Sequence, residues 1–160
     1  MELLEHIEIN PTEETQSTII WLHGMGADGH DFEGIVPELN LPEDSTIRFV
    51  FPHAPFRSMT INDGTKMRAW YDFTPHSETS GANDIDKSTR QLEQFIEREI
   101  DRGISPGNIL LAGFSQGGVI ALNTGTRFNK RLAGILAIST YLHDFKTTQA
   151  ELNDANLAIP

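Results

Sequence analysis

Short, nearly unbroken apolar runs separated by longer amphipathic segments constrain this chain more than any other feature. Ser17 to Leu22 is too short for a helix and too apolar for a strand with one wet face, so it reads as a strand buried on both sides. Thr46 to Phe51, stopped by Pro52, reads the same way, as do Asn108 to Ala112 and Leu132 to Ser139. Leu3 to Ile9 alternates weakly, as an edge strand does. Between them lie helical patterns. Asp84 to Arg102 puts Ile85, Leu92, Phe95, Ile96 and Ile100 on one face, and Gly103 ends it. Gln116 to Arg127 is a second helix, Asp31 to Leu39 a short one interrupted near Pro37, and Thr147 to Asn153 another short one. Leu157 to Pro160 has the composition of a further strand. This rhythm predicts an α/β fold, a mostly parallel sheet covered by helices. His53 to Asn83 is rich in Pro, Gly, Thr, Ser and Asn and reads as a long loop, of a length that is usually functional or disordered.

The chain has 160 residues, within the usual range for one domain. Hydrophobic residues are 38% and charged residues 22%, enough apolar material for a core. There is no cysteine, which excludes disulfides, thiolate metal sites and cysteine nucleophiles. A formal net charge of −11 argues against nucleic acid as a partner and against docking on anionic membranes. No run approaches the roughly 20 apolar residues of a membrane span, and Met1 to Glu5 is acidic where a secretory signal is basic. A cytoplasmic protein with no stable membrane anchor is expected.

Gly113-Phe114-Ser115-Gln116-Gly117 matches the nucleophile elbow, Gly-x-Ser-x-Gly. The serine of such an elbow occupies a very tight strand-to-helix turn, where side chains two positions away on either side would collide. Glycines at 113 and 117 relieve that crowding. A buried serine at an ordinary turn also fits the pentapeptide, but an apolar strand leads in and a helical run leads out, which favours the elbow. The strand Thr18 to Leu22 ends in His23-Gly24-Met25-Gly26. In α/β-hydrolases the loop at this place gives one backbone N–H of the oxyanion hole, and the residue after the nucleophile gives the other. That assigns the donors to Met25 and Gln116. His23 reads as a structural histidine bonded to loop backbone. Gly24 to Gly29 also fits the dinucleotide fingerprint G-x-G-x-x-G. That site wants a carboxylate at the end of the next strand, and Phe49 to His53 holds none, so no NAD site is expected.

The chain resembles the acyl-protein thioesterase/carboxylesterase/lysophospholipase group of small α/β-hydrolases. The resemblance rests on Trp21 to Phe32, on Arg48 to Pro55 running on to Met67 to Asp72, and on Ala112 to Gly118. Weaker similarity continues through Ile138 to Tyr141. It implies a three-layer α/β-hydrolase fold and a serine esterase acting on small acyl esters or thioesters without a cofactor. It also implies a hydrophobic acyl groove bordered by the loop carrying Trp70 and Tyr71. Packing of those aromatics beneath a long loop is the alternative.

A Ser-His-Asp triad in this fold runs in the order serine, acid, histidine. The resemblance puts the acid just after a strand that begins like Leu157 to Pro160, and the histidine later still. The 160 residues thus stop short of the last two strand-helix units, about fifty residues by typical element lengths. His143 is the one histidine after Ser115. Asp144 is badly placed to orient it, while Glu151 or Asp154 could. His6, His30, His53 and His76 read as loop or surface histidines, and no pair has metal-ligand context. A serine esterase of the family, seen through a fragment or a shortened reading frame and inactive as these 160 residues, is the leading expectation; a non-catalytic remnant that at most binds acyl ligands is the other. Self-association through an exposed sheet edge is expected in either case.

Overall fold

Alternate side chains of each central strand enter two different apolar layers, and that division builds the molecule. The computed structural model describes residues 3–74 and 80–160; His76 lies outside them. Strands β1 (His6–Ile9), β2 (Ser17–Leu22), β3 (Ile47–Pro52), β6 (Ile109–Phe114) and β7 (Gly134–Ile138) form one sheet in the order β1-β3-β2-β6-β7. β1 pairs antiparallel with β3, and every other pairing in this sheet is parallel. Ile20 and Leu22 of β2, Val50 of β3 and Ile109 and Leu111 of β6 point into the larger layer. Trp21, Phe49, Phe51 and Ala112 point into the other. Beyond Thr18 and Arg48 near their starts, β2 and β3 are buried on both faces, which is why these strands read as nearly continuous apolar stretches.

The larger layer is closed by α2 (Ala82–Asp101) and α3 (Gln116–Arg127). Ile85, Leu92, Phe95 and Ile96 of α2 are buried in it, each contributing about 1.5–3 kcal/mol by leaving water. On the opposite face Phe32, Ile35 and Val36 cover Trp21 and Phe51. The expected helix there shortens to α1 (His30–Glu33), followed by a 3-10 turn at Pro37–Leu39. Pro37 has no N–H to continue an α-helical ladder. α4 (Phe145–Glu151) begins two residues earlier than its periodicity suggested, because the Asp144 carboxylate caps it by accepting the Thr147 N–H.

The stretch from His53 to Asn83 is not all loop. Phe56–Met59 (β4) and Thr65–Arg68 (β5) form an antiparallel hairpin. Asp63 and Gly64 both take positive φ at its tip, so Asp63-Gly64 was the turn signal in the sequence. Arg57 anchors the hairpin by an ion pair to Asp84 at 2.6 Å and a bond to the Ala69 carbonyl.

The strand order sets where a site forms. β2 runs on to β3 on one side, whereas β6 adds to the other side of β2. Their carboxyl ends flank the topological switch point, where open α/β sheets bind ligands. Leu22 pairs with Gly113 in register, so the loop after β2 and the turn after β6 leave the sheet side by side.

β7 closes one edge of the sheet, with Leu136 44% exposed. The Ile135 N–H on that edge donates to the Pro160 carbonyl, and Leu157 nearby in sequence is exposed. We propose that this edge self-associates. Sedimentation should show a concentration-dependent shift to larger species, reduced by Leu136→Lys; a monomer at all concentrations contradicts it.

Candidate active site

At Ser115 the chain turns from β6 into α3 with φ 52° and ψ −118°, a conformation that costs a non-glycine residue of order 1–3 kcal/mol. The turn is tight enough to press backbone on backbone. A Cβ at Gly113 would lie 2.4 Å from the Gly117 carbonyl, and one at Gly117 would lie 2.5 Å from the Leu22 carbonyl oxygen. Both positions therefore exclude side chains, as the spacing of the pentapeptide predicted. Ser115 itself is half-buried. Its N–H donates to the Ile138 carbonyl at 3.0 Å, while its hydroxyl makes no hydrogen bond among the described residues.

The loop after β2 lies against this turn. A Cβ on Gly24 would be 3.1 Å from the Phe114 ring and 3.6 Å from the Ser115 Cβ. Among the described hydrogen bonds, the N–H groups of Met25 and Gln116 have no protein acceptor. That of Gln116 is one of the unpaired amides at the start of α3, where the helix dipole favours negative charge. The Gln116 side chain is fully engaged: Oε1 accepts the Trp70 N–H at 3.0 Å and Nε2 donates to the Tyr71 carbonyl at 2.8 Å.

Comparison with known proteins follows the same geometry. The sequence profile of the Phospholipase/Carboxylesterase family matches residues 5–160. The chain belongs to that family. It is 32% identical over 146 residues to acyl-protein thioesterase 1 of Cryptococcus neoformans, covering 87% of this chain and 60% of that protein. With acyl-protein thioesterase 1 of Schizosaccharomyces pombe the identity is 36% over 141 residues, covering 87% and 62%. The chain thus spans about 60% of the length of these relatives. Among solved structures, Arabidopsis thaliana SOBER1 superposes with a TM-score of 0.78 at 28% identity, covering 87% of this chain and 68% of that one. The mostly parallel sheet with helices on both faces is the α/β-hydrolase fold of these proteins.

Around this family fold the remaining sequence-predicted residues take definite places. His23 is buried, and both ring nitrogens are spent on backbone. Nε2 accepts the Ala54 N–H at 3.0 Å, so Nδ1 carries the proton and donates to the Gly24 carbonyl at 2.7 Å. Burial holds this imidazole below its ordinary pKa. It pins the loop beside Ser115 and has no nitrogen left for chemistry. Trp70 and Tyr71 are 1% and 2% exposed, so packing is their role in this conformation and neither offers an open groove wall. The Trp70 indole N–H donates to the His23 carbonyl, and the Ser88 hydroxyl donates to the Trp70 carbonyl. The exposed apolar side chains at this end are others: Met25, Tyr141 and Leu142. Sequence periodicity gave no sign of them, because they sit on loops.

Gly29, last glycine of the dinucleotide-like run, has a structural reason too. A Cβ there would meet the Phe51 carbonyl oxygen at 2.5 Å, and its N–H donates to His53 Nδ1. His143 is half-buried between the rings of Tyr71 and Tyr141, and burial lowers its pKa. Its imidazole bonds neither Ser115 nor a carboxylate among the described residues. Asp144 is committed to the cap of α4, and Glu151 pairs with Arg127 at 2.7 Å. No group of three or more potential ligand side chains could hold a metal ion among the described residues.

Two outcomes follow from this packing. Gly117→Ala should destabilise the protein by about 1–3 kcal/mol in urea denaturation, the usual cost of overpacking. Gly107→Ala, where a Cβ meets nothing within 4 Å, should change stability far less; equal effects contradict the crowding. The second concerns pH. His23 must stay neutral in the fold, whereas an unfolded imidazole titrates near about 6.5. The stability it contributes is therefore complete above that pH. It is lost as pH falls towards the lowered folded value, by up to about 1.4 kcal/mol per pH unit. His23→Gln should flatten the acid limb of the stability-pH curve, and an unchanged slope refutes the assignment.

Proposed function

We propose that this chain carries the nucleophile and oxyanion hole of a serine hydrolase that acts on carboxylic acyl esters or thioesters. The single observation that supports this most is Ser115, a non-glycine residue held at positive φ between a strand and a helix. Its hydroxyl and two neighbouring backbone amides are unspent. The Ser115 oxygen attacks the acyl carbon, and the carbonyl oxygen becomes an oxyanion that the N–H groups of Met25 and Gln116 stabilise. One such donor typically lowers the barrier by about 2.7–4 kcal/mol. Collapse of the intermediate breaks the bond to the leaving oxygen or sulfur, which takes up through solvent the proton lost by the Ser115 hydroxyl, and leaves the acyl group on Ser115. The exposed Met25, Tyr141 and Leu142 give the acyl chain apolar surface at this end of the sheet.

Complete turnover needs a base to take the serine proton. Among the described residues no imidazole bonds the Ser115 hydroxyl; the second reading is an acyl-binding protein of the same fold without turnover. Loss of the histidine in a serine protease costs about 10⁶ in kcat but leaves a residual acceleration of about 10³–10⁴ over water. The 160 residues should therefore turn over p-nitrophenyl acetate about 10⁶-fold more slowly than an enzyme that has its histidine. Over long incubation they should accumulate an acetyl group that mass spectrometry maps to Ser115 and that Ser115→Ala removes. Acetylation only elsewhere supports the non-catalytic reading. Fast turnover abolished by Ser115→Ala would instead show that His143 or a partner chain supplies the base.

A further inference from the structure

The segment leaving β7 grips the backbone of Ser115 from both sides. The Ser115 N–H donates to the Ile138 carbonyl at 3.0 Å, and the Thr140 hydroxyl donates to the Ser115 carbonyl at 2.7 Å. Between those two contacts lies Ser139, itself at φ 45°. Two strained, non-glycine residues thus face each other, one in each turn, tied by a pair of hydrogen bonds. The approach is close. A Cβ on Gly118 would fall 2.6 Å from the Thr140 Cβ and 2.7 Å from its hydroxyl oxygen. Glycine at 118 therefore leaves the space into which the Thr140 side chain fits.

We propose that Thr140 is a positioning residue for Ser115, its hydroxyl holding the strained turn in the conformation that presents the serine oxygen. A strained backbone persists only where its surroundings over-determine it. The α3 amides of Gly118 and Val119 already bond the Ser115 carbonyl, at 3.0 and 3.3 Å. Those bonds come from the helix that the turn starts, so they move with it. Thr140 is different: it lies on the segment that leaves the neighbouring strand β7, and it ties the turn to that side of the sheet. Valine at 140 keeps the shape and removes the donor, whereas serine keeps the donor. The assignment rests on the reading of Ser115 as nucleophile for its purpose, but the contact can be tested without any turnover.

The experiment is NMR on the intact chain, unsubstituted and as Thr140→Val, Thr140→Ser and Gly118→Ala. In the unsubstituted protein, three-bond couplings should place the Thr140 side chain in one rotamer. Thr140→Val should shift the Ser115 amide resonance and its N–H/Hα coupling, which reports φ. It should also speed exchange of that amide about tenfold, because the bond lost at the Ser115 carbonyl loosens the turn that holds the Ser115 N–H on the Ile138 carbonyl. Thr140→Ser should restore these values, and Gly118→Ala should reproduce the valine effect by displacing the side chain. A merely structural threonine would lower global stability and leave the residue-115 signals in place, which overturns the proposal. If the valine variant does not fold, rotamer averaging at Thr140 in the unsubstituted protein overturns it and a single rotamer with serine rescue upholds it. Failure of Ser115 to accept an acetyl group would sink the hydrolase reading and leave these signals unaffected.

Discussion

At the turn between β6 and α3, main-chain atoms of three elements approach so closely that Cβ atoms at 113 and 117 have nowhere to go. Everything else at this end of the molecule is arranged around that crowding. β2 must end beside the turn, because the Leu22 and His23 carbonyls are the atoms that a side chain at 117 would strike. The loop that follows must pass in front of Ser115, and Gly24 permits it to do so. The φ of Ser115 is unfavourable by itself. It survives because the parallel pairing of β2, β6 and β7 holds the flanking segments from both sides.

The other end of the sheet is held by a buried charge network. Glu99 of α2 is fully buried, yet its carboxylate accepts from the Thr18 hydroxyl at 2.9 Å, Arg48 at 2.7 Å and Arg102 at 3.1 Å. Glu8 of β1 joins Arg48, Arg98 and Arg102 at distances up to 3.2 Å. Burial alone would raise the Glu8 carboxyl, but Arg102 and Arg98 hold it down at about 2. Each of the two carboxylates keeps more than one arginine partner, so its charge stays matched when any single arginine is lost. The network joins β1, β2, β3 and α2 near the starts of the two central strands, away from Ser115. The rigid end and the strained end of the sheet are thus separate.

Much of this was legible in the sequence. An apolar run too short for a helix placed β2 to the residue, and the helix-compatible run after the elbow did the same for α3. The pentapeptide around Ser115 predicted crowding at the two positions where a Cβ does collide. Signals that depend on tertiary partners were not legible. Glu99 sits on the buried face of α2 at helical spacing, and nothing local tells that its charge is matched by Arg48 from a distant strand. Trp70 and Tyr71 lie in a polar, glycine-rich stretch that suggests a surface loop, yet Gln116, His23 and Ser88 draw them inward. Thr140 has an unremarkable neighbourhood in sequence, and its contact with Ser115 exists only because β6 and β7 are paired.

The account stands on the geometry of residue 115 and its two amide neighbours. A crystal structure at a resolution that fixes backbone dihedral angles measures it directly. It should show Ser115 at positive φ with its hydroxyl open to solvent, and the Met25 and Gln116 N–H groups directed to a common point beside that oxygen. A serine relaxed to a negative φ, or amides already bonded to protein acceptors, would contradict it.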